Sequence, residues 1–582
     1  MSQEEVETEP SSLWDPVLDR YVLQEVILTS RAVALAPRLY MGDLGGTMRR
    51  QAGQLVLEAG AKVGFNTYAN SFFASYWEKY TDLRLLSLSG KMQGRGLLHL
   101  FRSTPKGTTV KVGEYPVEDV FHIHFDLFSY LPDEGASGRI FFDLEAVTDV
   151  TIEQIAFSTF SPPPQTASFS LGICTYRKEE HVSNLVLSLE DYVKRDGTAL
   201  SEVIVVNNSG DNSDLPVLQA VAKRMPALSL IEQDNIGGAG GFARTLHESL
   251  KSQTSTHHIF MDDDVFLDTR MLDRLRAFVS YCRKPQVVGG QMMNMSEPCR
   301  LYEGGARLDY WGFLARVGAG VDGSQGQDVS FFDQVHEVDY NAWWFACVPK
   351  AEAAQVGLPL NIFIRGDDFE YGLRLGQAGV PTVSLPGLFI WHEAFENKSG
   401  AWLHYYDWRN RLIVAAIYNA PAQMDVPPPD VLREAFADAF IDGRSQFAFA
   451  QALAVLDFLG GPESVLQQNA ETRHNELRQS LERLATGESD IVAELEAVLK
   501  ASGSAPELKP ILGLERSARF NAAQNGDQST SVISAAVIRV IDDVLARYIN
   551  EADMVKAEWQ KEAHNLSSAA CWEQRYGWTP DE

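Results

Sequence analysis

Positive charge is scarce in this 582-residue chain: 50 Lys and Arg stand against 78 Asp and Glu, a formal net charge of −28. Phosphate backbones are gripped by clustered basic side chains, so the balance argues against a nucleic-acid partner. Cysteine is scarce too. Cys174, Cys282, Cys299, Cys347 and Cys571 are odd in number and show no CxxC spacing, which speaks against a disulfide framework and suits packing thiols in a reducing compartment. No run of about 18 apolar residues occurs, so no transmembrane helix is expected. Met1 to Glu5 is acidic and lacks the basic and apolar regions of a secretory signal. The expectation is a cytoplasmic protein, with peripheral contact at the inner membrane face left open.

What is present is ample material for burial, with 45% hydrophobic and 10% aromatic residues. The length suggests roughly three or four cores. Residues 1–165 read as a β-rich, sandwich-like module or small barrel, with strands at Leu97–Phe101, Phe121–Phe125 and Arg139–Leu144. Breaks at Pro105–Gly107 and Pro132–Gly135 separate them. The aromatic cluster Phe65 to Trp77 suits core packing, or alternatively a saccharide platform.

Ser161-Pro162-Pro163-Pro164 is a stiff linker, after which strands and helices alternate. Strands at Ser168–Cys174, Val203–Val206 and Leu228–Ile231, with helices at Glu180–Arg195 and Leu215–Met225, spell βαβαβ and predict a parallel sheet. Ligands of such sheets bind beyond the carboxyl ends of the strands. Thr175-Tyr176-Arg177-Lys178, Asn207-Asn208 and Asp262-Asp263-Asp264 all fall there. From about Leu412 the chain reads helical, broken at Val426–Pro429, with helical patterns over Gln467–Leu499 and Ser531–Trp559 and a loop over Asn521–Thr530.

Three features carry chemistry. Asp262-Asp263-Asp264 closes the apolar run His258–Met261, and three adjacent acids are costly without a cation. Hard oxygen ligands favour Mg²⁺ or Mn²⁺ over zinc. Asn235-Ile236-Gly237-Gly238-Ala239-Gly240-Gly241 precedes a helix at Phe242–Leu250, where glycines let backbone approach an anion. Asp367-Asp368 opens another helix; one of the two acids is either an N-cap or a general base. Trp391-His392 ends a further apolar run, with the histidine structural or a metal ligand, and Trp343-Trp344 is core or an acceptor platform.

In order, TYRK, NIGGAGG, MDDDV, VDYNAWW, IRGDDFEYGLR, LPG and WH resemble the inverting GT-A glycosyltransferases of family 2. FNTYANSFFASYW, YYDWRNRLIVAA and LDFLGGPE extend the resemblance to the polymerising galactofuranosyltransferases of actinobacterial cell-wall galactan. It implies a multidomain α/β protein: the N-terminal module at 1–165, a Rossmann-like GT-A domain at 166–415 and a helical domain at 416–582. It also implies transfer of galactofuranose from UDP-galactofuranose to a lipid-linked glycan, and homo-oligomerisation. Asp262, Asp264 and His392 would hold Mn²⁺ or Mg²⁺. Thr175, Arg177 or Lys178, Asn208, Asn235, Gly238 and Asp263 would form the nucleotide side. Asp368 would be the base, with Trp343, Trp344 and Asp367 toward the acceptor. Three departures concern the motifs themselves: TYRK for TFNR or TYNR, Gly366 where the relatives carry Trp, and Asp407 where they carry His. The rival expectations are a family 2 transferase of another sugar, such as rhamnose, and a glycan-binding protein without turnover. A glycosidase would need neither the acidic triplet nor the glycine-rich loop.

Overall fold

The computed structural model describes residues 13–51, 53–127, 138–394, 400–418, 424–441, 445–486 and 528–578, with the single positions 493 and 497. The N-terminal region forms a ten-stranded sheet. Its long strand Leu85–Ser103 pairs along its length with Thr109–Asp126. On its other side it pairs first with Val150–Thr159, then with Arg139–Ala146. The exchange occurs at a bulge between Lys91 and Arg95, where Gly94 has φ +89° and a Cβ would meet the Asp149 carbonyl oxygen at 2.1 Å. A bulge bends the strand and increases its twist, so the two halves of the long strand take different neighbours. The three expected strands lie in it and the Pro105–Gly107 turn is present; Pro132–Gly135 lies outside the described residues.

The aromatic cluster is core. Phe65, Tyr68, Phe72, Phe73, Tyr76 and Trp77 are all 2% exposed or less, which overturns the platform reading: buried rings have no face to offer a sugar. They join this sheet to the next layer, with Tyr68 5.5 Å from Phe389 and Trp77 5.1 Å from Phe278.

The central sheet begins with β1 (Phe169–Thr175), α1 (Glu179–Arg195), β2 (Leu200–Asn207), α2 (Pro216–Ala222), β3 (Leu228–Glu232), α3 (Gly237–Lys251) and β4 (His257–Asp262). It continues with α4 (Arg270–Tyr281), β5 (Val287–Asn294), β6 (Glu297–Glu303), β7 (Ala346–Pro349), α5 (Asp367–Gln377) and β8 (Thr382–His392). The spatial order is β3-β2-β1-β4-β7-β5-β6, with β8 beside β5. The first four strands are parallel as expected, but the sheet is mixed, because β7 runs antiparallel to both β4 and β5. The chain reaches β7 from the carboxyl end of β4, Ala346 pairing with Phe260, and so runs back down the sheet. That return leaves Asn341 to Phe345 at the same end as Asp262.

Helix α6 (Ala401–Ile417) starts before the expected Leu412, and Pro429 opens the next helix, where its missing N–H costs nothing. Helix α7 (Ala470–Thr486) covers the first half of the Gln467–Leu499 pattern, and residues 487–499 are not described beyond 493 and 497. The last long helix is Gln528–Leu566. Gln528 to Thr530 is therefore helical rather than loop, and 521–527 lies outside the described residues. The two sheets share one continuous apolar core and the C-terminal helices build a second. A buried ion pair crosses the first seam, Arg139 Nε to Asp333 Oδ1 at 3.2 Å, with side chains 2% and 0% exposed. Among the described residues no helix is long and apolar enough to cross a membrane.

Candidate active site

Strands β1, β2, β4 and β8 end together, which brings Thr175, Asn208, the three aspartates and His392 to one edge of the sheet. Ligand atoms of Asp262, Asp264 and His392 all lie within 4.8 Å of one another. His392 Nδ1 is 2.6 Å from the Glu393 carbonyl oxygen, which can only accept, so Nδ1 donates and Nε2 is left to face the carboxylates. Nε2 stands 2.7 Å from Asp264 Oδ1 and 3.9 Å from Asp262 Oδ2. An imidazole lone pair and a carboxylate at that separation need a proton or a cation between them. Two carboxylates and one imidazole suit a hard divalent ion, so the residues fit Mn²⁺ or Mg²⁺. Lys178 Nζ, 3.3 Å from Asp264 Oδ2, supplies part of the compensating charge. Asp263 lies outside this group and accepts from Thr175 Oγ1 at 2.7 Å. Burial, and then the neighbouring Asp264, push its carboxyl up to about 7.

The glycine-rich stretch is the first turn and a half of α3 rather than a loop before Phe242. Glycine is needed there for close approach. Gly237 has φ +75°, and a Cβ on Gly241 would sit 2.1 Å from Cys174 Sγ. Asn208 Nδ2 donates to the Gly237 carbonyl at 2.9 Å and so holds the turn. Above it opens a cavity of about 500 Å³ lined by Tyr176, Arg177, Lys178, Asn208, Asn235 and Gly238, by the three aspartates, and by α7.

A second cavity of about 410 Å³ adjoins it, and Gly238, Phe242, Asp262 and Ile364 line both. Its floor carries Asp367, Asp368, Trp343, Trp344 and Glu303. Gly366, at φ +86°, is the N-cap of α5 and makes no side-chain cap, so neither aspartate is the cap; both stand in the first helical turn. Burial raises both carboxyls. Asp367 is raised further by the like charge of Asp368, while Arg365 pulls Asp368 back. The pair therefore shares its protons unequally, with Asp367 holding its proton the more strongly. Arg365 Nε donates to Asp407 Oδ1 at 2.8 Å, and Asn410 Nδ2 donates to the Ile364 and Arg365 carbonyls at 2.7 and 2.6 Å. Helix α6 thus clamps the loop, in which Phe363 and Arg365 have φ of 74° and 67°.

The predicted residues divide by depth. Asp262, Asp264, Asp367, Asp368, Asn235, Gly238, Arg177 and Lys178 border the cavities. Thr175 is 2% exposed and serves Asp263 instead of facing a cavity. Trp343 and Trp344 are 5% and 3% exposed. Trp343 stacks on Phe260 at 4.3 Å and Trp344 Nε1 donates to the Gly290 carbonyl, so only their edges line the wall. Residues not anticipated are Glu303, Arg365, Trp402 and the α7 face Glu471, His474, Asn475 and Arg478. Glu303 is 5% exposed, Oε1 has no hydrogen-bond partner, and burial together with the Asp368 charge pushes its carboxyl up to about 8.

Comparison with known proteins matches residues 23–159 to the family model "Galactofuranosyltransferase 2 N-terminal" and residues 164–411 to "Glycosyltransferase like family 2". Galactofuranosyltransferase GlfT2 of Mycobacterium tuberculosis is 30% identical over 476 residues, 76% of this chain and 73% of that protein. Its counterpart from Mycolicibacterium smegmatis is 30% identical over 426 residues, 70% and 65% of the two chains. Galactofuranosyltransferase GlfT1 of Mycobacterium tuberculosis is 27% identical over 223 residues, 37% of this chain and 67% of that one.

Proposed function

The chain belongs to the GlfT2 galactofuranosyltransferase family, and from that premise we propose that it is an inverting, metal-dependent enzyme that moves galactofuranose from UDP-galactofuranose to a lipid-linked galactan. The observation that carries the reading is the shared wall of the two cavities. A nucleotide sugar in the larger one and an acceptor hydroxyl in the smaller one would meet beside Asp262 and Gly238. Asp368 then lies on the acceptor side, away from the leaving diphosphate, as a single displacement with inversion requires.

Each group has a task in this scheme. Asp262, Asp264 and His392 would hold Mn²⁺ or Mg²⁺, which when bound neutralises charge on the diphosphate. Asp368 accepts the proton of the attacking hydroxyl as the new glycosidic bond forms and the bond to UDP breaks. Asp367, whose carboxyl burial and the Asp368 charge raise, would donate a hydrogen bond to the acceptor. The clamp from Asn410 and Asp407 holds the pair in place, so that little reorganisation remains at the moment of reaction.

UDP release from UDP-galactofuranose, with a synthetic galactofuranosyl acceptor and Mn²⁺, tests the proposal. Release should depend on acceptor, fall by roughly 10²–10⁴-fold in Asp368→Asn, and stop with EDTA. Undiminished release in Asp368→Asn would remove the base assignment, and turnover of another nucleotide sugar alone would overturn the donor.

A further inference from the structure

Helix α7 lies about two hundred residues beyond the acidic triplet in sequence, yet it walls the same cavity. Its two faces are distinct. Leu477, Leu481 and Leu484 are 1%, 4% and 4% exposed and pack into the C-terminal core. Glu471, His474, Asn475 and Arg478, at the i, i+3, i+4 and i+7 positions of the other face, border the cavity with Asp262, Asp263 and Asp264. The helix is also tied to the glycine-rich turn, because Asn235 Nδ2 donates to Glu471 Oε1 at 3.4 Å. His474 is packed among rings, 5.1 Å from Trp402 and 5.7 Å from Phe363, and its Nδ1 is 3.3 Å from Tyr406 Oη.

The charges around the cavity are uneven. Lys178 is engaged by Asp264, and Arg177 lies over the Tyr176 ring with its guanidinium carbon 5.0 Å from the centroid. Arg478 is half exposed, and its carboxylate neighbour is Glu482 at a loose 3.6 Å on the same helix. A guanidinium presents paired donors suited to phosphate oxygens, and Arg478 can turn to a phosphate at little cost. We propose that the inner face of α7 is part of the donor site and that Arg478 binds the diphosphate of the nucleotide sugar from a wall built by the C-terminal helices. The inference rests on the donor reading above. It makes the helical region a contributor to nucleotide binding.

Calorimetry of UDP, UMP and uridine binding in the presence of Mn²⁺ tests it on the full chain. Arg478→Ala should weaken UDP by about 10-fold or more, the loss of one charge-assisted contact, and leave uridine within twofold. Glu482→Gln, which releases Arg478, should bind UDP as tightly as the parent or more so. Mn²⁺ affinity and melting temperature should be unchanged in both variants, which separates a ligand contact from a structural role. UDP affinity in Arg478→Ala within twofold of the parent would overturn the inference alone, as would an equal loss for uridine. A parent that bound no UDP would overturn the donor reading and the inference with it.

Discussion

Replacing Glu303 by glutamine should make the protein more stable, and more so as pH rises. The side chain is 5% exposed and faces the Asp368 charge, with Arg316 and Arg365 as lesser, opposing influences. Its pKa goes from an ordinary 4.5 to about 8 on folding. The folded carboxyl therefore stays neutral where the unfolded one ionises, and unfolding releases a proton between those two values. Parent stability falls from about pH 4.5 to about pH 8 on this account, then levels off. At ~1.4 kcal/mol per pH unit the ceiling is about 5 kcal/mol, and water penetration with local relaxation reduces it to a few kcal/mol. Glutamine keeps the shape and cannot ionise. Melting of both proteins at pH 5, 7 and 9 should give equal temperatures at pH 5 and a gap of several degrees in favour of Glu303→Gln at pH 9. A gap that does not change with pH, or a less stable variant at pH 9, would refute the argument.

Asp264→Asn removes one of two carboxylates from the proposed metal group and should weaken Mn²⁺ by roughly tenfold or more, as read by electron paramagnetic resonance titration, while uridine binding stays. Gly241→Ala places a methyl group 2.1 Å from Cys174 Sγ, an overpacking that should cost ~1–3 kcal/mol. In thermal melts, Cys174→Ala in the same chain should recover part of that loss, and no recovery would mean that α3 is held off β1 by something else.

The parts of the fold visible in the sequence were those set by local pattern. Apolar runs such as Val203–Val206 are buried on both faces as parallel strands must be, and the acids after Met261 mark where such a strand ends. Strand β7 escaped because four apolar residues carry no direction; its antiparallel course follows from the loop that delivers it. Glycine is a poor helix former, so the glycine-rich stretch reads as a loop in sequence, and the nearness of Cys174 and Phe363 explains its use at the helix start. Glu303 sits in an ordinary strand, Leu301-Tyr302-Glu303, and becomes unusual through Asp368, which is far away in the chain. Arg478 was hidden in a charged helix for the same reason. Asp407, noted as a departure from the family pattern, has a partner in Arg365 that spacing alone did not reveal.

The seam between the two sheets bears on how substrates come and go. Arg139 and Asp333 are sealed there without access to solvent, and Arg274 Nη1 reaches across to the Ala69 carbonyl at 2.9 Å. Prying the sheets apart would break this pair and expose the apolar core that the two sheets share. This seam cannot serve as a hinge, and a truncation at Ser161–Pro164 would cut through a shared interior instead of between bodies. On the donor reading proposed above, breathing that admits the substrate falls to the other flank, where α7 and Trp402 of α6 line the cavity.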